Sequence, residues 1–173
     1  MRIFTAILPD EEMRQALASL QEELQHSGIR GRFTDPYNLH MTLSFIGEYG
    51  NPDAVMDVLE EISFEPVCLQ MEAIEKWNDL LVCTFRKNDV LENNVRRLRR
   101  ALAENGIPYD RKNFRPHITL ARKTAGEAEL PVPDLMMEAD TVSLMKSERH
   151  RDHMVYTEIG AVHYEQTDID EAQ

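Results

Sequence analysis

A four-residue pattern occurs twice in this chain, and it constrains the fold more than any other feature. The first copy is His40-Met41-Thr42-Leu43, and the second is His117-Ile118-Thr119-Leu120. In an extended strand, residues two apart point to the same face. His40 and Thr42 then share one face, as do His117 and Thr119, while Met41, Leu43, Ile118 and Leu120 are free to enter a core. The chain holds six His, nine Thr and seventeen Leu among 173 residues. Two such matches would arise by accident roughly once in several thousand chains of this composition.

The surroundings of the motif repeat as well. The two histidines are 77 residues apart, and so are the ends of the apolar runs at Leu8 and Phe85. Between them, Leu17, Leu20, Leu24, Gly28 and Ile29 return as Val95, Leu98, Leu102, Gly106 and Ile107 at an offset of 78. This spacing predicts a strand–helix–loop–strand unit used twice, near residues 2–47 and 79–123.

Local signals fill in the elements. A strand over Arg2 to Leu8 leads to Asp10, a helix N-cap followed by Glu11 and Glu12, which favour the positive end of the helix dipole. Residues 29–37 read as a loop carrying Arg30, Arg32 and Phe33, ahead of the first motif strand. Asn51-Pro52 starts a second helix. Val67 to Ile74 and Leu80 to Arg86 read as strands about a turn at Trp77-Asn78-Asp79. A third helix is predicted from Asp89 to Asn105, a basic loop from Tyr109 to Pro116, and turns through 123–134. Met137 to Met145 and Met154 to Tyr164 read as two final strands, and 165–173 as a frayed acidic tail. The pattern is α+β with antiparallel sheets, in a single domain covering 1–173.

Formal net charge is −12, the wrong sign for sequence-blind binding of long nucleic acid. Its distribution is uneven. Residues 86–123 hold 11 Lys or Arg against 4 Asp or Glu, so this segment carries +7 and the remainder −19. A basic segment ending in the second motif suits a phosphate-binding cleft. Arg96, Arg97, Arg99 and Arg100 fit either that role or a solvated helix face. Cys68 and Cys83 both lie in apolar runs and read as reduced, buried residues of a cytoplasmic protein, though sequence leaves a disulfide open. No secretory signal, membrane span or lipidation motif is expected.

Paired histidines suit phosphodiester chemistry without a metal. One group takes a proton from water while another gives one to the departing oxygen, and an imidazole with an unperturbed pKa near 6.5 serves either role. Threonine hydroxyls can donate to non-bridging oxygens. Arg122 can neutralise developing charge, but strict alternation turns it away from His117 and Thr119 unless the strand bulges near Ala121. His150, Asp152 and His153 lack a third placed metal ligand. No glycine-rich phosphate loop and no serine or cysteine nucleophile motif is present, so no cofactor is expected.

The segments Asn38-Leu39-His40-Met41-Thr42-Leu43-Ser44-Phe45-Ile46-Gly47 and Phe114-Arg115-Pro116-His117-Ile118-Thr119-Leu120-Ala121-Arg122, with Ile3 to Pro9 and the Trp77 region, resemble the 2H phosphoesterases, the HxTx-motif superfamily. They are most similar to the bacterial RNA 2′,3′-cyclic phosphodiesterases, historically called 2′-5′ RNA ligases. The resemblance implies two lobes facing each other across a cleft, one motif from each. It also implies His40 as general acid toward the 3′ oxygen, His117 as base for water, Thr42 and Thr119 as their partners, and Arg122 as the phosphate-binding cation five residues after the second histidine. In the first motif Phe45 holds that position. Arg32, Phe33, Trp77 and Arg115 are further substrate-binding candidates; Phe33, Tyr37 and Phe114 could stack on a base, but core or loop packing is the better reading for each, as packing is for Trp77. The expected partner is an RNA terminus or a small nucleotide, met by a monomer, and reverse 2′-5′ ligation is a side reaction. Two alternatives stand beside this: the same site acting on 2′-5′-linked oligonucleotides or a small cyclic nucleotide such as ADP-ribose cyclic phosphate, and a non-catalytic module that binds RNA ends.

Overall fold

The computed structural model describes residues 1–166; the expected tail falls mostly outside them. Nine strands form two antiparallel sheets. They are β1 Arg2–Ile7, β2 Arg30–Phe33, β3 Met41–Glu48, β4 Val67–Trp77, β5 Leu80–Phe85, β6 His117–Ala125, β7 Met136–Ala139, β8 Thr141–His150 and β9 His153–His163. The first sheet has the order β3-β1-β8-β9, and the second β2-β6-β5-β4-β7. The helices are α1 Glu11–His26, α2 Pro52–Glu61 and α3 Asp89–Glu104. Each motif strand thus pairs with the strand that opens its own unit, β3 with β1 and β6 with β5.

Capping chemistry starts all three helices. The side chains of Asp10, Asn51 and Asn88 accept from Met13 N, Ala54 N and from Val90 N and Leu91 N, satisfying amides that have no partner inside the helix. The helices bury the stripes set by their spacing, Met13, Leu17, Leu20 and Leu24 on α1 and Leu91, Val95, Leu98 and Leu102 on α3. These join one core cluster with Ile3, Ile7, Met41, Leu43, Ile118 and Leu120. The other face of β1 carries Phe4 and Ala6, which form a smaller cluster with Met145, flanked by Phe45 and Tyr156. Apolar residues on both faces explain why β1 reads as a continuous apolar run rather than an alternating one.

Three expectations are corrected. Residues 30–33 are a strand, β2, rather than loop; this edge strand is held to β6 by backbone pairing and leaves three of its four residues exposed. The strand expected over Met137 to Met145 is two, because the chain changes sheets at Asp140: β7 pairs with β4, and β8 with β1. Cys83 is buried, with its thiol pKa pushed up to about 12 by burial, but Cys68 is exposed, pointing away from the face that buries Val67, Leu69 and Met71. Both are free thiols.

Candidate active site

Both motif strands bulge at the same residue. In the β1–β3 register Thr5 pairs with Ser44 and Ala6 with Thr42, leaving Leu43 over. In the β5–β6 register Leu81 pairs with Ala121 and Val82 with Thr119, leaving Leu120 over. A bulge adds one residue and reverses the alternation beyond it. Leu43 and Ser44 are therefore buried in succession, as are Leu120 and Ala121, and the next residues, Phe45 and Arg122, return to the face of the histidines. This resolves the orientation of Arg122: it lines a cleft of about 290 Å³ together with His40, Thr42 and Phe45.

Each bulge is held by a side chain from the helix of the other unit. Gln21 on α1 donates through Nε2 to Leu120 O (2.9 Å) and Thr34 O (2.8 Å). Arg99 on α3, 78 positions later, donates through Nε and Nη2 to Leu43 O (3.2 and 3.1 Å) and through Nη1 to Lys112 O (2.6 Å). Leftover carbonyls at the bulges thereby find partners, and the two halves are tied together at the residues that aim Phe45 and Arg122.

The histidines are mounted alike. His40 Nδ1 lies 2.7 Å from Asn38 O, and His117 Nδ1 lies 2.6 Å from Arg115 O. A carbonyl only accepts, so each Nδ1 carries the hydrogen and each neutral ring presents the lone pair of Nε2. Burial holds the pKa of His40 below its ordinary value; the bond to Asn38 opposes that, and the charges of Arg122 and His117 add to it. For His117 the causes are burial, opposed by the bond to Arg115 O, with the charges of Arg115 and Arg122 adding to the depression. The charge of Arg122 thus bears on both rings, and a proton on His117 discourages one on His40.

Aromatic rings fix the planes of both imidazoles. His40 stands 4.8 Å from Phe4 and edge-on to Tyr156 at 5.0 Å. His117 stands 4.7 Å from Trp77, whose other neighbour is the Arg115 guanidinium, 3.7 Å from the ring centroid. Thr42 and Thr119 are half-buried. Arg32 pairs directly with Arg122 across β2 and β6, which puts both on one face. Like charges opposite one another are unfavourable, and among the described residues neither forms an ion pair, an arrangement suited to receiving an anion. Phe33 falls on the other face, opposite buried Ala121 and packed on the core; as a cleft residue it is corrected. Tyr37 is exposed beneath the Arg14 guanidinium.

Sequence reasoning missed Arg2, Phe4, Tyr156 and Met154, which also line the cleft. Arg2 lies over the Phe45 ring at 4.7 Å, so the first lobe brings its cation from β1 rather than from the motif strand. The Arg2-to-Phe4 run is visible in the sequence; that β9 would supply Met154 and Tyr156 to this face is not, because it depends on sheet order. Among the described residues no three of His, Cys, Asp and Glu gather as metal ligands, and no helix is long and apolar enough to cross a membrane.

Two pinned imidazoles on duplicated motifs, with one arginine whose charge bears on both rings, are the arrangement of a phosphoesterase of the two-histidine class. The comparisons agree. The LigT like Phosphoesterase family matches residues 7–78 and 86–156, and the chain belongs to that family. It is 27% identical over 130 residues to the RNA 2′,3′-cyclic phosphodiesterase of Archaeoglobus fulgidus, covering 70% of this chain and 72% of that protein. It is 26% identical over 133 residues to the protein of the same name from Aquifex aeolicus, covering 70% of each. E. coli LigT complexed with 3′-AMP superposes with a TM-score of 0.83 over 95% of this chain and 98% of that one, at 23% identity, a likeness of fold.

Proposed function

We propose that the protein hydrolyses RNA ends carrying a 2′,3′-cyclic phosphate, without a metal, leaving a 2′-phosphate and a free 3′-hydroxyl. The observation that carries this is the pair of imidazoles, each pinned through Nδ1 so that Nε2 is free, with the charge of Arg122 bearing on both. His117 Nε2 takes a proton from water as the water oxygen bonds to phosphorus. The phosphorus–O3′ bond breaks, and protonated His40 gives its Nε2 proton to O3′. Thr42 and Thr119 donate to the non-bridging oxygens, and Arg122 offsets the charge that develops there.

This assignment needs one protonated and one neutral ring. Burial and Arg122 keep both rings neutral in the free protein, and a bound phosphate anion raises the affinity of the site for the single proton. Mutual repulsion of the rings opposes a second. Run in reverse, the same groups join a 5′-hydroxyl to a cyclic phosphate as a 2′-5′ link. The relatives' shared name supports an RNA-processing enzyme, and the free thiols suit a reducing, cytoplasmic compartment; we take it to act as a monomer built as one bilobal domain.

The test is incubation with a short RNA ending in 2′,3′-cyclic phosphate, in EDTA, with identification of the product end. A 2′-phosphate is expected. A 3′-phosphate would reverse the regiochemistry, and loss of activity restored by a divalent metal would overturn the metal-free mechanism. Failure on RNA with turnover of a small cyclic nucleotide would move the substrate but keep the site.

A further inference from the structure

A second basic hollow, of about 480 Å³, lies between α3 and the Tyr109–Pro116 loop. Arg96 and Arg100 are exposed, and they stand one helical turn apart on the same face. Arg99 lies beside them, its guanidinium already spent on Leu43 O and Lys112 O, so it adds charge rather than free donors. Tyr109 and Phe114 supply aromatic surface, and Tyr109 sits between the Arg99 and Arg111 guanidiniums, each 5.8 Å from its ring centroid. Glu92 contributes one carboxylate to the lining. Among the described residues Arg96 and Arg100 form no ion pair; Arg96 donates to Asn93 Oδ1 at 2.8 Å.

We infer that this hollow takes the sugar–phosphate backbone of an RNA strand just upstream of its reacting end. Unpaired guanidiniums next to aromatic faces are the combination that holds single-stranded nucleic acid without reading its sequence. Position supports the assignment. Phe114 is three residues before His117, so their Cα atoms are at most about 11 Å apart. Arg99 grips the carbonyl next to Thr42. The Asp110 amide donates to Phe45 O at 2.8 Å, so one loop borders both the hollow and the cleft. Charge supports it too: residues 86–123 carry +7 in a chain whose remainder carries −19, which favours a polyanion on surface that this segment supplies. A merely solvated helix face would lack the concavity and the two rings.

The inference rests on the proposed reaction, and the test separates the two. Hydrolysis of a ten-nucleotide RNA ending in 2′,3′-cyclic phosphate is compared with that of adenosine 2′,3′-cyclic phosphate, over a range of salt, in the natural protein, in Arg96→Ala/Arg100→Ala and in Arg96→Lys/Arg100→Lys. The natural protein favours the oligomer in kcat/KM. The alanine pair reduces that preference roughly fivefold to tenfold and flattens the log–log salt dependence for the oligomer by about 1.4, or about 0.7 for each phosphate released. The lysine pair keeps most of the salt slope. An unchanged preference and slope in the alanine pair would overturn the subsite, and so would an equal loss on the mononucleotide, which would make these arginines part of the cleft itself. If the natural protein turns over neither substrate, the reaction is wrong. The subsite is then read from binding of a 5′-fluorescein decamer, where an alanine pair with unchanged affinity and salt slope would sink it independently.

Discussion

Replacing Arg99 by Met tests whether the bulge clamps serve the site as well as the fold. The substitution keeps an apolar stem on α3 and removes every donor. Three bonds are lost: two to Leu43 O and one to Lys112 O. Leu43 has no partner in the β1–β3 register, so its carbonyl depends on this guanidinium. A part-buried carbonyl left unsatisfied costs about 1–3 kcal/mol, and a lost charge-assisted bond is of similar size. Arg99 is only half-buried, so water recovers part of this, and the expected net loss is about 2–3 kcal/mol. With a urea m-value of roughly 2 kcal/mol/M for a chain of this size, the midpoint falls by about 1–1.5 M while m holds. Activity on adenosine 2′,3′-cyclic phosphate, which does not reach the basic hollow, should fall further than folding accounts for. Relaxing the bulge swings Thr42 and Phe45 off their face, and a displacement of an ångström in a positioning group can cost up to about a hundredfold. The expected signature is kcat down about tenfold or more with KM little changed, measured where the variant is fully folded. A lower urea midpoint with natural kcat would refute the positioning argument and leave Arg99 a structural residue only.

Other outcomes follow from the same geometry. Arg122→Met removes a positive charge that lowers the pKa of both His40 and His117; both limbs of the pH–rate profile should move to higher pH as kcat falls, and limbs that stay in place would mean the guanidinium does not face the rings. Phe45→Arg adds a cation to the cleft wall that carries His40 and depresses the pKa of that ring further. If His40 is the acid, the alkaline limb moves to lower pH; movement of the acidic limb instead would assign His40 as the base. Gly31→Ala places a Cβ 2.9 Å from Arg122 O, an overlap worth about 1–3 kcal/mol, and thermal melting should show that loss together with weakened phosphate inhibition; an unchanged melt would mean that β2 shifts freely. Trp77→Ala frees the His117 ring and unstacks Arg115, so kcat should fall with little change in midpoint, whereas a large loss of stability with natural kcat would make Trp77 a packing residue.

What the sequence made legible was chemistry carried by residues near one another in the chain. Asp10, Asn51 and Asn88 cap helices through amides two or three positions on, and His40-x-Thr42 and His117-x-Thr119 keep a common face because they precede their bulges. What stayed hidden depends on distant partners. Arg30-Gly31-Arg32-Phe33 has no apolar alternation to mark a strand; β6 makes it one. Over Met137 to Met145 the change of sheet at Asp140 shows only as a shift of phase, from Met137 and Ala139 to Val142 and Leu144; neither Gly nor Pro marks the corner, and the Asp140 carbonyl accepts from Tyr164 N at 2.7 Å. Arg122 is the instructive case. Within its own strand, alternation turns it away; the bulge that turns it back is anchored by Gln21, 99 residues upstream. Comparing the two motifs supplies what one strand cannot, because the second bulge lies at the equivalent leucine and is clamped from the equivalent helical position. The backbone device is present twice, yet the side chain it aims is an arginine in one copy and a phenylalanine in the other. Arg2 restores a cation over that phenylalanine from a different strand. The lobes are alike in how they present an imidazole and unlike in how they place charge beside it, and that difference is what can make one histidine the acid and the other the base.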